Sequence, residues 1–316
     1  MTASSIPQNR SNPTNVYTAI VLVVTTMHGT YLWCYLVFAS VSFVFGFIGN
    51  LLIVIVMLQR KLWRRSFSRM FVQLAVCDTL VLICAYFSKY INVISYTFHG
   101  RKLLIKPSTR VQCIFFEFYL SVGLSSSPWT LVLVATERMC VVCFPFRGPR
   151  FWSPNTASKL CFSVICFVAL SNCYLFVTID VCENGCIIKN VPTFTKPLLT
   201  SILISIGPFT SLTIMSTITS ITLLRKKGKS ETTRASKYSN QVTVLVLLLC
   251  AFFMVTTFPT FILSPFVWTN PELKNIFAVF TDILMINYSL NLYLYLMTGK
   301  EIRIELQNLI FEKKPS

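Results

Sequence analysis

The chain has 316 residues, a formal net charge of +17, and a composition that is 54% hydrophobic and only 12% charged. Soluble domains carry about 25% charged residues, so these values exclude an ordinary soluble protein and indicate a chain that crosses a membrane several times. The apolar runs are longer than the roughly ten residues of a barrel strand, which predicts an all-α membrane protein. With two histidines in the whole chain, a zinc site is not expected.

The chain divides into an amino-terminal tail, seven apolar spans and a carboxy-terminal segment. Residues 1–30 are expected to form an extracellular tail, in which Asn9 begins a glycosylation sequon. Basic residues cluster after spans one, three and five, which places these loops in the cytoplasm and the amino terminus outside. They flank the spans, so we expect them to face membrane lipids and a protein partner rather than nucleic acid. The predicted spans cover approximately residues 31–58, 67–96, 110–144, 157–179, 197–224, 238–268 and 273–298.

Span three carries most of the functional interpretation. Between Cys113 and Arg138 it contains no other basic residue. Twenty-five helical steps of about 1.5 Å give roughly 37 Å, which is enough to cross a bilayer with its interfaces. One helix can therefore place the Cys113 thiol at the outer face and the Glu137-Arg138 pair at the inner face, followed by Val142-Cys143-Phe144-Pro145.

The later part of the chain contains a dipeptide that predicts a hairpin turn, three further spans that carry motifs, and an amphipathic segment. Cys182 and Cys186 flank Asn184-Gly185, a dipeptide typical of hairpin turns. Residues 299–311 place apolar side chains at three- and four-residue spacing between charged ones, which predicts a short helix lying on the inner leaflet. The motif residues of spans five, six and seven are Pro208, Phe253, Pro259, Asn291 and Tyr295.

In this order and spacing the motifs resemble those of the rhodopsin-like (class A) G-protein-coupled receptors, over about residues 31–311. The family triplet of an acid, arginine and an aromatic residue corresponds to Glu137-Arg138-Met139, and its N-P-x-x-Y motif has Leu292 in place of the proline. The resemblance implies a seven-transmembrane helix bundle at 31–298, with a short amphipathic eighth helix and cytoplasmic tail at 299–316. It implies a receptor in the plasma membrane rather than an enzyme.

The resemblance also implies a disulfide from Cys113 to a cysteine of the following loop, either Cys186 or Cys182. The alternative is a Cys182–Cys186 bridge that leaves Cys113 free. Besides Leu292, further positions depart from the family pattern: Thr257 stands where the family has tryptophan, and Pro128 where it usually has isoleucine.

In the mechanism that the resemblance implies, an extracellular agonist favours a conformation in which span six swings outward at the cytoplasmic face. Glu137 pairs with Arg138 at rest, and in the active state Arg138 contacts a heterotrimeric G protein. Arrestin is a further expected partner, and Phe146 has the simpler alternative role of packing against lipid. The residues expected to take part in coupling or switching are Glu137, Arg138, Pro145, Phe146, Tyr295, Pro208, Phe253 and Pro259.

Asp78 is a carboxylate at mid-membrane depth, where a charge is costly and is usually paired or functional. Its candidate partners are Asn50, Ser127, Asn287 and Asn291. Where the family has these residues, they surround a sodium ion and waters, so the resemblance implies a Na⁺ site at Asp78. The alternatives are a water-filled network without an ion and a protonated Asp78. No other cofactor is required.

The ligand is the part of the function that the sequence constrains least. Leu120 replaces the aspartate of amine receptors, and Met285 replaces the retinal-binding lysine of opsins. An acid in the outer half of the bundle could bind an arginine of a peptide, so a short neuropeptide is the favoured ligand and a divergent, invertebrate-type peptide receptor the favoured class. A lipid or chemosensory small molecule is the alternative, a transporter is disfavoured, and Lys89 has the alternative role of a structural ion pair. The pocket candidates are Lys89, Glu117, Leu120, Phe261 and Asp282.

Overall fold

A computed structural model describes residues 29–87, 109–182, 185–188, 206–226, 234–263, 266, 273–298 and 300–311. The predictions at Asn9 and Lys89, and the side chain of Phe261, lie outside the described residues. Within those ranges six helices are long and apolar enough to span a bilayer. The seventh predicted span is built from two consecutive helices.

The longer helices follow the chain in a simple order. They are α1 (Gly29–Met57), α2 (Ser66–Ala85), α3 (Arg110–Cys143), α4 (Pro154–Ser171), α5 (Gly207–Lys226), α6 (Arg234–Leu263), α7 (Leu273–Ser289), α8 (Asn291–Thr298) and α9 (Lys300–Ile310). Single helical turns occur at Arg60–Trp63, Gly148–Phe151 and Leu175–Thr178, and an antiparallel hairpin is formed by β1 (Ile179–Cys182) and β2 (Gly185–Ile188). We refer to the two ends of the bundle as the Cys113 end and the Arg138 end.

Side-chain caps fix the starts of α3 and α4. The Thr109 hydroxyl accepts a hydrogen bond from the Gln112 amide at 3.3 Å, and the Gln112 side chain accepts from the Thr109 amide at 3.4 Å, which completes a capping box. At α4, the Ser153 hydroxyl accepts from the Thr156 amide at 3.1 Å and Pro154 occupies the first turn. Helix α4 therefore starts three residues before the predicted position of 157.

Helix α3 lies at the centre of the bundle, and α1 packs closely on α7. A Cβ atom added to Gly46 would lie 2.6 Å from Leu82 Cδ1 and 2.9 Å from Ser289 Cα. Only a glycine permits this approach, because real Cβ atoms do not come so near to backbone. On the opposite faces of α1 and α4, large apolar side chains such as Phe45 and Leu170 are exposed, as expected of helices that face lipid.

The hairpin is fastened to α3 at the Cys113 end. Cys113 is buried and forms a disulfide with Cys186, so the alternatives of a Cys113–Cys182 bond and a Cys182–Cys186 bond are wrong. The Arg110 guanidinium donates to the carbonyls of Ile179 at 3.0 Å and Phe176 at 3.2 Å. Covalent and polar contacts thus hold the hairpin over this end of the bundle.

A hairpin is found where the Asn184-Gly185 dipeptide predicts one. Cys182 of β1 pairs with Gly185, the first residue of β2. Val181 of β1 pairs with Cys186 of β2, and both strands contact α3.

The seventh span is interrupted at Leu290, which separates α7 from α8. Together, α7 and α8 cover the predicted span of 273–298. The side-chain amide of Asn50 in α1 donates a hydrogen bond to the Tyr288 carbonyl at 3.0 Å. Tyr288 lies two residues before the interruption. Backbone bonds from Leu290 to Ile286 at 3.1 Å and from Leu294 to Leu290 at 3.2 Å keep the two helices nearly continuous.

Helix α9 is attached to the rest of the chain by charged side chains. Arg303 donates to the carbonyls of Leu296 at 2.8 Å and Met297 at 3.1 Å, which satisfies the end of α8. Glu305 forms an ion pair with Lys61 of the Arg60–Trp63 turn at 3.0 Å. Ile302 is buried between these contacts, so α9 lies against the Arg138 end of the bundle.

Candidate functional site

A buried ion pair occupies the Arg138 end of α3. Arg138 Nη2 lies 2.7 Å from Glu137 Oε1, and Arg138 Nε donates to Glu137 Oε2 at 2.9 Å. Glu137 is 0% exposed and Arg138 is 6% exposed. The Ser66 hydroxyl of α2 donates to Glu137 Oε1, and the Arg138 guanidinium lies 5.6 Å from the centroid of the Phe67 ring. The guanidinium is thus held in a bidentate pair that also ties α3 to α2.

Arg138 also borders a narrow cavity between α3, α5 and α6. Thr136 of α3 donates to Met215 Sδ of α5 at 3.0 Å beside this cavity. The residues that line it are Ala135, Arg138, Met215, Ser216, Thr219, Thr243, Val246 and Leu247. Separation of α6 from α5 at this point would open a direct route to the guanidinium.

Helix α6 is joined to its neighbours by few polar contacts. Among the side chains that the structure describes on α6, the hydrogen bond to another helix is made by sulfur, because the Thr213 hydroxyl donates to Met254 Sδ at 3.3 Å. Sulfur is a weak donor and acceptor. Apolar packing, including that of the buried Phe253, therefore supplies most of the attachment of α6.

Asp78 forms a second polar centre that joins α2, α3 and α8. The Ser127 hydroxyl donates to Asp78 Oδ1 at 2.5 Å, and the Asn291 amide donates to Asp78 Oδ2. Two of the four predicted partners therefore contact the carboxylate. Asn50 instead bonds the Tyr288 carbonyl, and Asn287 is buried but is not a donor to Asp78 in the described hydrogen bonds.

Several buried polar atoms near the bundle centre have no protein partner. They are Asn50 Oδ1, Ser126 Oγ, Thr257 Oγ1, Tyr288 Oη and Tyr295 Oη. Buried polar groups are nearly always hydrogen bonded, so these atoms are available to bind water or an ion. Oxygen ligands suit a hard cation such as Na⁺, and the oxygen atoms of Asp78, Ser127 and Asn50 therefore fit such an ion. In the described ranges no group of three or more His, Cys, Asp or Glu residues forms a metal site.

The predicted switch residues lie along α5 and α6. Pro208 is buried in the first turn of α5, and Pro259 lies inside α6. Pro259 has no N–H, so the carbonyl four residues earlier loses its helical donor. The Thr256 hydroxyl donates to the Phe252 carbonyl at 2.9 Å and the Thr260 hydroxyl to the Thr257 carbonyl at 2.7 Å. Threonine hydroxyls on the amino-terminal side of Pro259 and immediately after it thus form hydrogen bonds to backbone carbonyls of α6.

The remaining predicted residues are divided between the two ends of the bundle. Leu120 and Asp282 are buried towards the Cys113 end, and Glu117 is half-buried one turn after Cys113. At the Arg138 end, Pro145 and Phe146 are exposed. The Tyr295 ring is fully buried and its centroid lies 4.8 Å from that of Phe71, so Tyr295 belongs to the core near this end.

Sequence reasoning missed Ser66 and Lys61. Ser66 is 71 positions from Glu137, and Lys61 is 244 positions from Glu305. A serine has no hydropathy or charge signal of its own. The basic cluster of the first loop predicts a surface that faces lipid and a protein partner, and the acidic Glu305 in the amphipathic segment is the sequence feature that complements it.

Comparisons with known proteins agree with the family resemblance of the motifs. A family profile described as "7 transmembrane receptor (rhodopsin family)" matches residues 49–294, well over half of the chain. Rhodopsin of Lithobates pipiens is 26% identical over 141 residues, which cover 43% of this chain and 37% of that protein. Rhodopsin of Batrachocottus multiradiatus is 30% identical over 118 residues, covering 37% and 38%. The cholecystokinin receptor of Xenopus laevis is 28% identical over 126 residues, covering 40% and 26%.

These pairwise matches span less than two fifths of the length of each of these three relatives, whereas the profile spans the bundle from α1 to α8. The match confirms the predictions of a rhodopsin-like resemblance and of a seven-transmembrane, multi-pass bundle. The chain belongs to the rhodopsin family of seven-transmembrane receptors.

Proposed function

We propose that the protein is a G-protein-coupled receptor that presents Arg138 to a heterotrimeric G protein after an extracellular ligand binds. The observation that carries the proposal is the buried bidentate Glu137–Arg138 pair beside the cavity between α5 and α6. Buried in this way, Arg138 can meet a protein partner only after the cavity opens. A ligand promotes opening to the extent that it binds the open state more tightly.

The opening step in this proposal is an outward movement of the Arg138 end of α6. Pro259 provides a point at which the helix can bend, and Thr243 and Val246 move away from Arg138. The guanidinium then leaves Glu137 and donates to the carbonyls at the carboxy-terminal end of a Gα helix, where the helix dipole favours a cation. Tyr295 Oη, which has no partner in the closed bundle, becomes available to the same site.

We place the Arg138 end in the cytoplasm and the amino terminus outside the plasma membrane. The support is positional, because exposed basic side chains surround this end. These are Arg60, Lys61, Arg64, Arg147 and Arg150. Phe146 is 93% exposed at the same end and is available to a hydrophobic pocket of the G protein. Arrestin is a second protein that the same face could receive.

For the ligand, we propose a short neuropeptide bound at the Cys113 end. Buried Asp282 and half-buried Glu117 are acids that could pair with a basic peptide residue. One relative is a cholecystokinin receptor. The relatives named rhodopsin are weaker guides here, because Met285 occupies the retinal-binding lysine position of the resemblance. A lipid or chemosensory ligand is the alternative, and a screen of amidated peptides and lipids on expressing cells separates the two.

We further propose that Na⁺ binds at Asp78 when the bundle is closed. Asp78 and Ser127 would hold the ion, with Asn50 Oδ1 as a neutral oxygen that lacks a protein partner. The ion would supply positive charge to a buried carboxylate, which lowers the cost of that charge. Binding of this kind favours the closed bundle over the open one.

Replacement of Arg138 by alanine tests the main proposal. The variant should reach the cell surface, because Arg138 lies at one end of the bundle, but ligand-stimulated nucleotide exchange should be lost. Lys61→Ala is a matched control, since it removes a cation from the same end of the bundle without touching the cavity. Normal exchange in Arg138→Ala at equal surface level would overturn the assignment.

A further inference from the structure

The short connection from α3 to α4 exposes an unusual set of side chains. Residues 144–153 link two membrane spans, so this connection must lie at the membrane surface. Phe144 is 60% exposed, Phe146 is 93% exposed and Phe151 is 65% exposed. Arg147 and Arg150 are exposed among them. Large apolar side chains interleaved with cations are typical of segments that lie in a lipid interface.

The connection is held against the bundle rather than projecting freely from it. The Gly148 amide donates to the Phe144 carbonyl at 2.7 Å, and the Trp152 amide to the Gly148 carbonyl at 3.1 Å. A Cβ atom on Gly148 would lie 2.5 Å from the Cys140 carbonyl oxygen, so Gly148 seats the turn on the end of α3. Trp152 is buried on the opposite side. The segment therefore has a fixed inner face, and its exposed side chains include phenylalanines and arginines.

The two arginines have no acid close to them along the chain. No aspartate or glutamate occurs between Glu137 and Asp180, and Glu137 is already paired with Arg138. An arginine binds phosphate through two parallel N–H donors. A basic side chain near an anionic leaflet strengthens association by about fivefold.

We propose that residues 144–151 form an anionic-lipid anchor of the leaflet at the Arg138 end. Arg147 and Arg150 bind the phosphates of anionic glycerophospholipids, and Phe144 and Phe151 enter the boundary between headgroups and acyl chains. Phe146 lies between them and stays available for the G-protein contact. The anchor sets the depth of the Arg138 end of α3 in the membrane, and it requires neither ligand nor G protein.

Native mass spectrometry of the purified full chain tests the anchor. Phosphatidylserine and phosphatidylcholine are titrated into the wild type, Arg147→Gln/Arg150→Gln and the matched control Arg60→Gln/Arg64→Gln, which removes the same charge from the same end. We expect the first variant to bind phosphatidylserine at least tenfold more weakly, with phosphatidylcholine unchanged, and the control to lose less than threefold. Phe151→Ser, which leaves the charge intact, should also weaken phosphatidylserine binding.

Two results would overturn the proposal. Equal losses in both double variants would show a general attraction of the basic surface to anionic lipid. Unchanged lipid binding in Arg147→Gln/Arg150→Gln would show that the arginines do not bind lipid, and a loss of nucleotide exchange in the same variant would then assign the surface to the G protein. The lipid titration contains no G protein, so its outcome is independent of the proposed receptor function.

Discussion

Replacement of Glu137 by glutamine should raise ligand-independent nucleotide exchange. The substitution keeps the size of the side chain and its hydrogen bond with Ser66, but it removes the negative charge that holds Arg138 through contacts of 2.7 and 2.9 Å. The buried guanidinium then loses its counter-charge in the closed bundle. The open bundle, in which Arg138 meets solvent or a G protein, is little affected, so the balance shifts towards opening.

The size of the shift follows from the geometry of the pair. Each hydrogen bond between charged groups contributes about 1.5–3 kcal/mol, and part of this is retained by a neutral glutamine. A net loss of about 2–3 kcal/mol from the closed state raises the open fraction by about 30-fold to 150-fold, as long as the open state remains the minor one. Ser66→Ala leaves the ion pair between Glu137 and Arg138 intact, so it should raise the open fraction much less than Glu137→Gln does.

The assay is GTPγS binding without ligand, in membranes adjusted to equal receptor surface level. Lys61→Gln is the matched control, because it breaks an ion pair at the same end of the bundle whose lysine side chain is 56% exposed. The Glu305 side chain is only 10% exposed, but the solvated lysine end limits the contribution of the pair to about 1 kcal/mol, so the control should change basal exchange by about fivefold or less. Basal exchange in Glu137→Gln no higher than in Lys61→Gln would refute the reasoning.

Three further changes probe other parts of the structure. Cys113→Ala opens a bridge that spans 73 residues and should remove up to about 4 kcal/mol of stability in the chain-entropy model; an unchanged melting temperature would contradict this. Gly46→Ala should cost about 1–3 kcal/mol from overpacking, and Gly49→Ala less, because its nearest contact would be 3.3 Å away; equal melting temperatures would contradict the close approach. Rising Na⁺ but not K⁺ should lower agonist affinity in the wild type and not in Asp78→Asn; equal effects of the two ions would exclude the sodium proposal.

Much of the fold was predictable because membrane spans are encoded by local hydropathy. The predicted third span, 110–144, ends within one residue of α3. Ser127 and Asn291 were predicted as partners of Asp78 with the help of the family resemblance, and both donate to its carboxylate. The same resemblance named Asn50, which instead donates to the Tyr288 carbonyl. The resemblance therefore predicted the polar layer but not every pairing inside it.

The contacts that the sequence could not supply join distant elements through small or ordinary residues. No proline or glycine lies at Leu290, where the seventh span is interrupted. Close to this position the Asn50 side chain of α1 donates a hydrogen bond to the Tyr288 carbonyl. This contact depends on the close approach of α1 and α7 that Gly46 permits. Helix register and crossing distance decide such contacts, and neither can be read from hydropathy.

The distribution of polar contacts explains why α6 is the element expected to move. Asp78 binds α3 and α8 from α2, and Glu137 binds Ser66, so α2, α3 and α8 are tied by charge-assisted hydrogen bonds. The described side chains of α6 reach other helices through the Met254 sulfur and otherwise through apolar packing. In a bilayer, apolar surface that leaves a neighbouring helix is covered by lipid tails of similar polarity. Outward movement of α6 therefore sacrifices few interactions that lipid cannot replace, whereas movement of α2 or α8 would leave a carboxylate without its donors.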